Sequence, residues 1–438
     1  MFVGAPKVLQ HSKGRYTGDY LPGEIIYTAM PAKPKIRIAI DCRITDPRQG
    51  IGTAVMVFAS ALSRSLDVGQ EYTFVVPEAL KNWLAPHISG PCRLQTVPPP
   101  QLTAVKAFLR ELPLLRRIWS KLRSAQPLPS SDGYVESAGF DVVHFPTQAA
   151  YLTGLPSIYQ PWDLQHLHYP EFFKKEDWIW RDKLYRAFCK NAAYVCVQTK
   201  WTKQDLIAQY ELAEDKVVVI PWGSVFEAYA LPSLDLQEMT ARKYRFPDQF
   251  FFYPAVTWPH KNHEVILRAL SLLRTKYQRI AKVYFTGAST AFRLELDVLA
   301  SELGVSEQIH FLGFVSPEEL QAIFKMATAM IFPSKFEGFG LPLLEAFQAG
   351  TPVLCSNATV LPEVAGDGAL YFDPDSPEDL ASLMIEMLTN LELREILSQK
   401  GAAVLSNFGI DDTVRMFQSL YERTAVLRNN DNDILKSS

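Results

Sequence analysis

The stretch Phe336-Glu337-Gly338-Phe339-Gly340-Leu341-Pro342-Leu343-Leu344-Glu345-Ala346-Phe347 constrains this chain more than any other. Two acids, Glu337 and Glu345, flank a pair of glycines and a proline. Pro342 reads as the first position of a helix, where no backbone donor is lost. Gly350 reads as a left-handed cap closing that helix. Apolar runs lie on both sides, Ala329-Met330-Ile331-Phe332 before and Pro352-Val353-Leu354-Cys355 after. The pattern predicts a strand, a glycine loop, a helix and a second strand.

Such a helix mouth binds anions, because its first backbone N–H groups are free and the helix dipole favours negative charge. Gly338 and Gly340 are expected to let the backbone approach a ligand and to take φ values other residues avoid. Glu345 falls about one turn into the helix, and its side chain leans back toward the mouth. A carboxylate there suits the vicinal hydroxyls of a ribose. Glu337 lies in the loop and is placed to accept from sugar hydroxyls. Singly, each acid has a plainer reading: Glu345 as a dipole partner worth about 0.3–1 kcal/mol, Glu337 as a solvated loop acid. Together with both glycines and Pro342 they outline a site for a nucleoside diphosphate joined to a sugar.

Ser334 through Glu345, with Gly350-Thr351-Pro352-Val353, Pro362-Glu363-Val364-Ala365-Gly366 and Ala369-Leu370-Tyr371-Phe372-Asp373-Pro374, resembles the signature of retaining glycosyltransferases of family 4. The resemblance covers nearly all of the second half and, more loosely, the first. It implies an α/β chain of the GT-B fold, two Rossmann-like domains facing across a cleft, with a C-terminal helix crossing back to the first domain. The expected division is an arm at 1–34, an acceptor-side domain at 35–223 and a linker region at 224–248. A nucleotide-sugar domain at 249–408, a crossover helix at 409–426 and a disordered polar tail at 427–438 complete it.

Length and composition agree. At 438 residues the chain exceeds one core and fits two domains. Its 48% hydrophobic and 21% charged residues are those of a globular protein. A net charge of −3 argues against a dedicated nucleic-acid binder. The cysteines Cys42, Cys92, Cys189, Cys196 and Cys355 are scattered, odd in number and without metal spacing, which suggests buried thiols in a reducing cytosol. No apolar leader is visible within 1–32, and no run of about 20 apolar residues would span a bilayer. The expected location is the cytoplasm, with peripheral contact on the inner face of the membrane. The segment 102–123 would make that contact, since Lys106, Arg110, Arg116, Arg117, Lys121 and Arg123 alternate with apolar residues around Trp119. An ordinary surface helix broken at Pro113 is its plainer reading.

The resemblance assigns further residues. Gly50 and Gly52, in a glycine-rich loop after the strand 35–41, would face the donor. Asp163 and His166 follow the strand Ser157-Ile158-Tyr159-Gln160. They are the candidates to hold the acceptor hydroxyl or the donor sugar. Family members carry a His-Asp pair there; here Trp162 stands in the histidine's place. His260 and Lys261, in Pro259-His260-Lys261-Asn262-His263, would meet the donor phosphates. The family's arginine six residues before the lysine is Ala255 in this chain. The loop at Val315 would lie beside the nucleobase. Glu337, with the amides of Gly338, Phe339, Gly340 and Leu341, would hold sugar and diphosphate, and Glu345 the ribose. Asp431-Asn432-Asp433 imitates an Asp-x-Asp metal motif but falls in the tail and is read as chance.

These residues imply transfer of a hexose, mannose slightly favoured, from a nucleoside-diphosphate sugar to a glycan or lipid-linked acceptor, without a metal or other cofactor. Asp163, His166, Lys261 and Glu337 would be its catalytic residues. The readings left open are a GT-B epimerase or phosphorylase, an NAD-dependent enzyme disfavoured by the missing third glycine, and an inactive carbohydrate-binding scaffold.

Overall fold

The structure is a computed structural model, and it describes residues 35–43, 50–66, 69–98, 127–224 and 232–437. The segment 102–123 and the arm 1–34 lie outside the described residues.

The chain from Lys35 onward carries two parallel sheets. The first holds β1 Ile36–Asp41, β2 Gln70–Val76, β3 Cys92–Thr96, β4 Val142–Phe145, β5 Ser157–Tyr159, β6 Tyr194–Val197 and β7 Val217–Val219. Their spatial order is β3-β2-β1-β4-β5-β6-β7. The second holds β8 Phe251–Pro254, β9 Val283–Thr286, β10 Ile309–Phe311, β11 Ala329–Phe332, β12 Val353–Ser356 and β13 Ala369–Phe372, in the order β10-β9-β8-β11-β12-β13. Helices cover both faces of such sheets, so several strands are short runs buried end to end, while the edge strand β3 alternates. The side chains of β4, β9, β11 and β12 are accordingly buried throughout. Ile40 pairs with Phe74 in the first sheet and Phe252 with Tyr284 in the second.

Each sheet reverses its winding once, between β1 and β4 and between β8 and β11. In open α/β sheets the loops that leave the strands at such a reversal frame the ligand crevice. These loops include Trp258–Lys261 and Pro333–Gly340 in the second domain.

The helices that position the site are α1 Gly50–Arg64, α2 Lys175–Asn191, α3 Lys200–Tyr210, α4 Leu234–Tyr244, α5 His263–Thr275, α6 Leu341–Ala349, α7 Leu361–Ala365 and α8 Ile410–Ser437. Three of them correct the sequence reading. Gly50 and Gly52 lie in the first turn of α1, not in a loop before it. The region 224–248 contains α4, started by the Ser233 hydroxyl accepting from the Leu236 N–H and stopped by Arg245 at φ 55°. It docks on the second domain through Lys243 and Tyr244, both bonded to Glu319. Helix α8 continues through 427–437, where a disordered tail was expected.

Helix α8 crosses back to the first domain. The Tyr421 hydroxyl bonds His144 Nδ1 at 2.8 Å, the Gln70 amide donates to the Gln418 carbonyl at 2.9 Å, and Arg428 pairs with Asp141 at 2.7 Å. Thr413 donates to the Pro221 carbonyl where the chain leaves β7. Gly223 lies against this crossing so tightly that a Cβ would stand 2.4 Å from the Ile410 nitrogen. The five cysteines are buried, as expected. Among the described residues no helix is long and apolar enough to cross a membrane.

Candidate active site

The loop between β11 and α6 behaves as its residues require. Phe336 and Phe339 turn inward and are buried. Phe336 packs on His168, Tyr169 and Trp201, and Phe339 on Phe408. Between them Glu337 is left at the crevice. Gly340 takes φ 96° and starts α6, a conformation a side chain would strain. Gly350 caps the other end at φ 73°. Pro342 is the second helical residue rather than the first; its missing N–H is still no loss.

Gly338 corrects the expectation of an unusual φ, since its backbone is not in the left-handed region. Close approach is the reason for it. A Cβ at Gly338 would lie 2.7 Å from the Trp162 carbonyl oxygen and 3.1 Å from the Asp163 Cβ. The β11–α6 loop of the second domain thus presses directly on the segment that follows β5 in the first.

Lys261 closes a short 3-10 turn, Pro259–Lys261, at the mouth of α5. Its Nζ donates to Glu337 Oε1 at 2.6 Å, with both side chains largely covered. Asn262 follows at φ 55°, a region asparagine tolerates better than most residues. Its amide donates to the carbonyls of Pro333 and Pro374. The Lys335 N–H donates to the His260 carbonyl at 2.8 Å. Tyr253 bonds both Ser334 and the Lys261 carbonyl. The two loops are therefore one hydrogen-bonded unit, and Lys261 and Glu337 meet because that unit fixes both backbones.

Glu345 is half-buried on the first turns of α6, and burial pushes its carboxyl up to about 7. Among the described residues, burial is the one cause of that shift. Asp163 is also raised, first by burial and further by Glu337, against the Gln165 amide, Arg181 and Lys261. The electrostatics thus tie Asp163 to the Lys261–Glu337 pair. His260, half-buried beside Lys261, is pushed down to about 3 by burial and then by that ammonium, so it is a neutral imidazole. Val315 is half-buried, one residue ahead of Ser316, which caps the helix 317–326. Leu341 is half-buried at the helix start, and the Phe339 side chain is buried.

His166 is not brought to this cluster. The short helical turn Gln165–His168 points it into the first-domain core, where it is fully buried. It stacks edge-on with Tyr185 and lies 3.7 Å from Asp182. Burial and Arg181 push it down to about 4. Gly50 is exposed at the start of α1, with open space where a Cβ would be. Gly52 is buried in that helix.

Three residues support the loops in ways the sequence does not show. Trp162 sits at φ 69°, unusual for a bulky side chain. Its indole N–H donates to the Pro146 carbonyl and its ring stacks on Trp222, 5.8 Å between centroids. It is a buried strut, not a group facing a ligand. Thr359, at φ 49°, bonds the Glu337 N–H through its hydroxyl at 3.3 Å. Ser334 is buried under the loop and bonded to Tyr253. Nothing in the sequence marks Thr359.

Comparison with known proteins places this arrangement. Residues 240–404 match the family described as Glycosyl transferases group 1, and residues 48–224 match Glycosyltransferase Family 4. The chain belongs to glycosyltransferase family 4. This glycosyltransferase is similar to O-antigen chain mannosyltransferase B of Escherichia coli, 28% identical over 266 residues, covering 58% of this chain and 66% of the relative. It is similar also to the serotype-specific mannosyltransferase WbdA of Escherichia coli, 31% identical over 234 residues, 51% of this chain and 29% of the relative. The chain thus spans just under two thirds of the first relative's length and less than a third of the second's. In structure it matches Anabaena HepE in complex with UDP and glucose, with a TM-score of 0.65 at 16% identity over 88% of this chain and 100% of that one. At that identity the match bears on the fold, which is GT-B.

Proposed function

We propose that this glycosyltransferase moves a hexose from a nucleoside-diphosphate sugar to a hydroxyl of a glycan or lipid-linked saccharide, with retention of anomeric configuration and without a metal ion. The observation that carries the reading is the shared mouth of α5 and α6. There a cation is paired with one carboxylate, Lys261 with Glu337, and the first turns of α6 carry a second carboxylate, Glu345, raised by burial alone. A ribose diol donating to Glu345 would offset that burial. The barrier to transfer is largely the charge that grows on the departing diphosphate. Lys261 and the backbone amides at the start of α6 are aimed at that charge, and preorganised donors of this kind are the largest contribution in many enzymes. Glu337, released from Lys261 as the phosphate takes the ammonium, is free to accept from the hexose hydroxyls. Asp163, across the Gly338 contact, faces the same space from the first domain and is placed to orient the acceptor hydroxyl.

The two Escherichia coli relatives are named mannosyltransferases, and this supports mannose as the hexose. Domain contact through Gly338 supports a site that excludes water when closed, which limits hydrolysis of the donor. The test is transfer itself. The protein is incubated with GDP-, UDP- and ADP-hexoses, saccharide primers and a chelator, and products are read by mass spectrometry and proton NMR. One donor should give a hexose-extended primer with the donor's own anomeric configuration. Inverted product, or product formed only when a divalent metal is restored, would overturn the corresponding part of the reading.

A further inference from the structure

Helix α3 begins in the first domain at Lys200, and its first amides have no partner within the helix. Thr199 serves one of them, its hydroxyl accepting from the Thr202 N–H at 3.1 Å. The other two are served from the second domain. Glu363, on α7, accepts from the Lys200 N–H at 2.7 Å and from the Trp201 N–H at 2.9 Å, one carboxylate oxygen to each. A negative charge over a helix N-terminus is also favoured by the helix dipole.

The same turn of α3 carries the donor loop. The Trp201 ring meets Phe336 edge-on at 5.8 Å, and the Thr202 hydroxyl lies 3.5 Å from the Gly338 carbonyl. Next to it the Tyr169 hydroxyl donates to the Lys335 carbonyl. One helical turn of the first domain therefore touches the second at the Glu363 clamp and at the residues flanking Glu337.

We propose that Glu363 is the positioning residue that latches the two domains closed, seating the Glu337 loop against Asp163 by completing the N-terminal cap of α3. Glu363 is exposed, and its carboxylate is engaged by the Lys200 and Trp201 amides. When the domains part, water replaces it on both amides and Thr199 keeps the third. The open state thus leaves no buried donor unpaired, and the latch is reversible. Removing the carboxylate shifts the population toward the open form without disturbing either core.

The role in catalysis rests on the proposed transfer reaction; the latch itself is tested apart from it. Because the native cysteines are buried, labels at Leu66→Cys and Ile280→Cys, two exposed positions in different domains, report interdomain distance by pulsed EPR in the full chain. Glu363→Ala and Glu363→Lys should broaden and lengthen the distance distribution of the ligand-free protein, with an unchanged melting temperature. Glu363→Gln, which keeps one accepting oxygen, should fall between. In the transfer assay Glu363→Ala should lose about tenfold in kcat/KM and regain part of it in Glu363→Gln, a recovery that a purely structural role would not give. Distance distributions of Glu363→Ala and Glu363→Lys that superimpose on the parent's overturn the latch. Failure of the parent protein to transfer any hexose would count against the proposed reaction, while the ligand-free distances would still decide the latch.

Discussion

The Lys261 ammonium stands 2.6 Å from the Glu337 carboxylate, across the gap between two strand-to-helix loops. The loops are bonded to each other through Lys335 and His260, so the pair is held by backbone rather than by its own attraction. If Lys261 serves the departing diphosphate, Lys261→Ala should lower kcat by ~10²–10³-fold, as when one preorganised donor is removed from a charge-stabilising site. Steady-state kinetics on the best donor checks this. Loss confined to KM would show that Lys261 binds the ground state only.

Glu345 gives a pH signature. Burial raises its carboxyl from an ordinary 4.5 to about 7. Between those values the folded chain keeps a proton that the unfolded chain has lost. Glu345 therefore makes the protein less stable as pH rises through that window, and Glu345→Gln should flatten this part of the stability curve. A ribose diol favours the ionised form, so nucleotide binding should release a proton and strengthen as pH rises toward 7. Calorimetry in buffers of different ionisation enthalpy measures that release, and its absence would remove Glu345 from the ribose.

Gly338→Ala tests the domain contact. The added methyl would stand 2.7 Å from the Trp162 carbonyl, which cannot yield without moving the segment that follows β5. We expect activity to fall about 10²-fold, the scale of a misplacement near 1 Å, while nucleotide affinity of the second domain changes little. Equal losses in nucleotide affinity and turnover would contradict this assignment.

His166 and Asp163 separate core from site. His166→Leu should alter the melting temperature but leave kcat/KM of the folded enzyme within a few-fold, because the ring is wholly buried against Tyr185 and Asp182. Asp163→Asn should cost about 10²-fold in kcat/KM. A His166 variant as inactive as the Asp163 one would return His166 to the reaction.

The contrast between those two residues shows what the sequence carried. The strand–loop–helix pattern from Ala329 to Gly350 was legible because its apolar runs, Pro342 and its glycines all agree on one backbone. Lys261 was legible from its place before a helix. Their pairing was not, since 76 residues separate Lys261 from Glu337. His166 was misplaced because it lies three residues beyond Asp163, and the helical turn Gln165–His168 carries it into the core. Trp162, in the left-handed region, sets the direction of that segment, and no local rule predicts a tryptophan there. Helix α4 stands in the expected linker because the Ser233 cap starts it and Glu319 of the second domain holds its end. The reason for Gly338 is tertiary: it makes room for a carbonyl from another domain.

The central claim is a nucleotide site built by Lys261, Glu345 and the amides between them, working without a metal. Isothermal titration calorimetry with GDP, UDP and ADP, with and without chelator, on the parent protein and Glu345→Ala, tests it most directly. One nucleotide should bind the parent, chelator should leave its affinity unchanged, and Glu345→Ala should abolish it. Binding that needs a divalent ion, or that survives in Glu345→Ala, would contradict it.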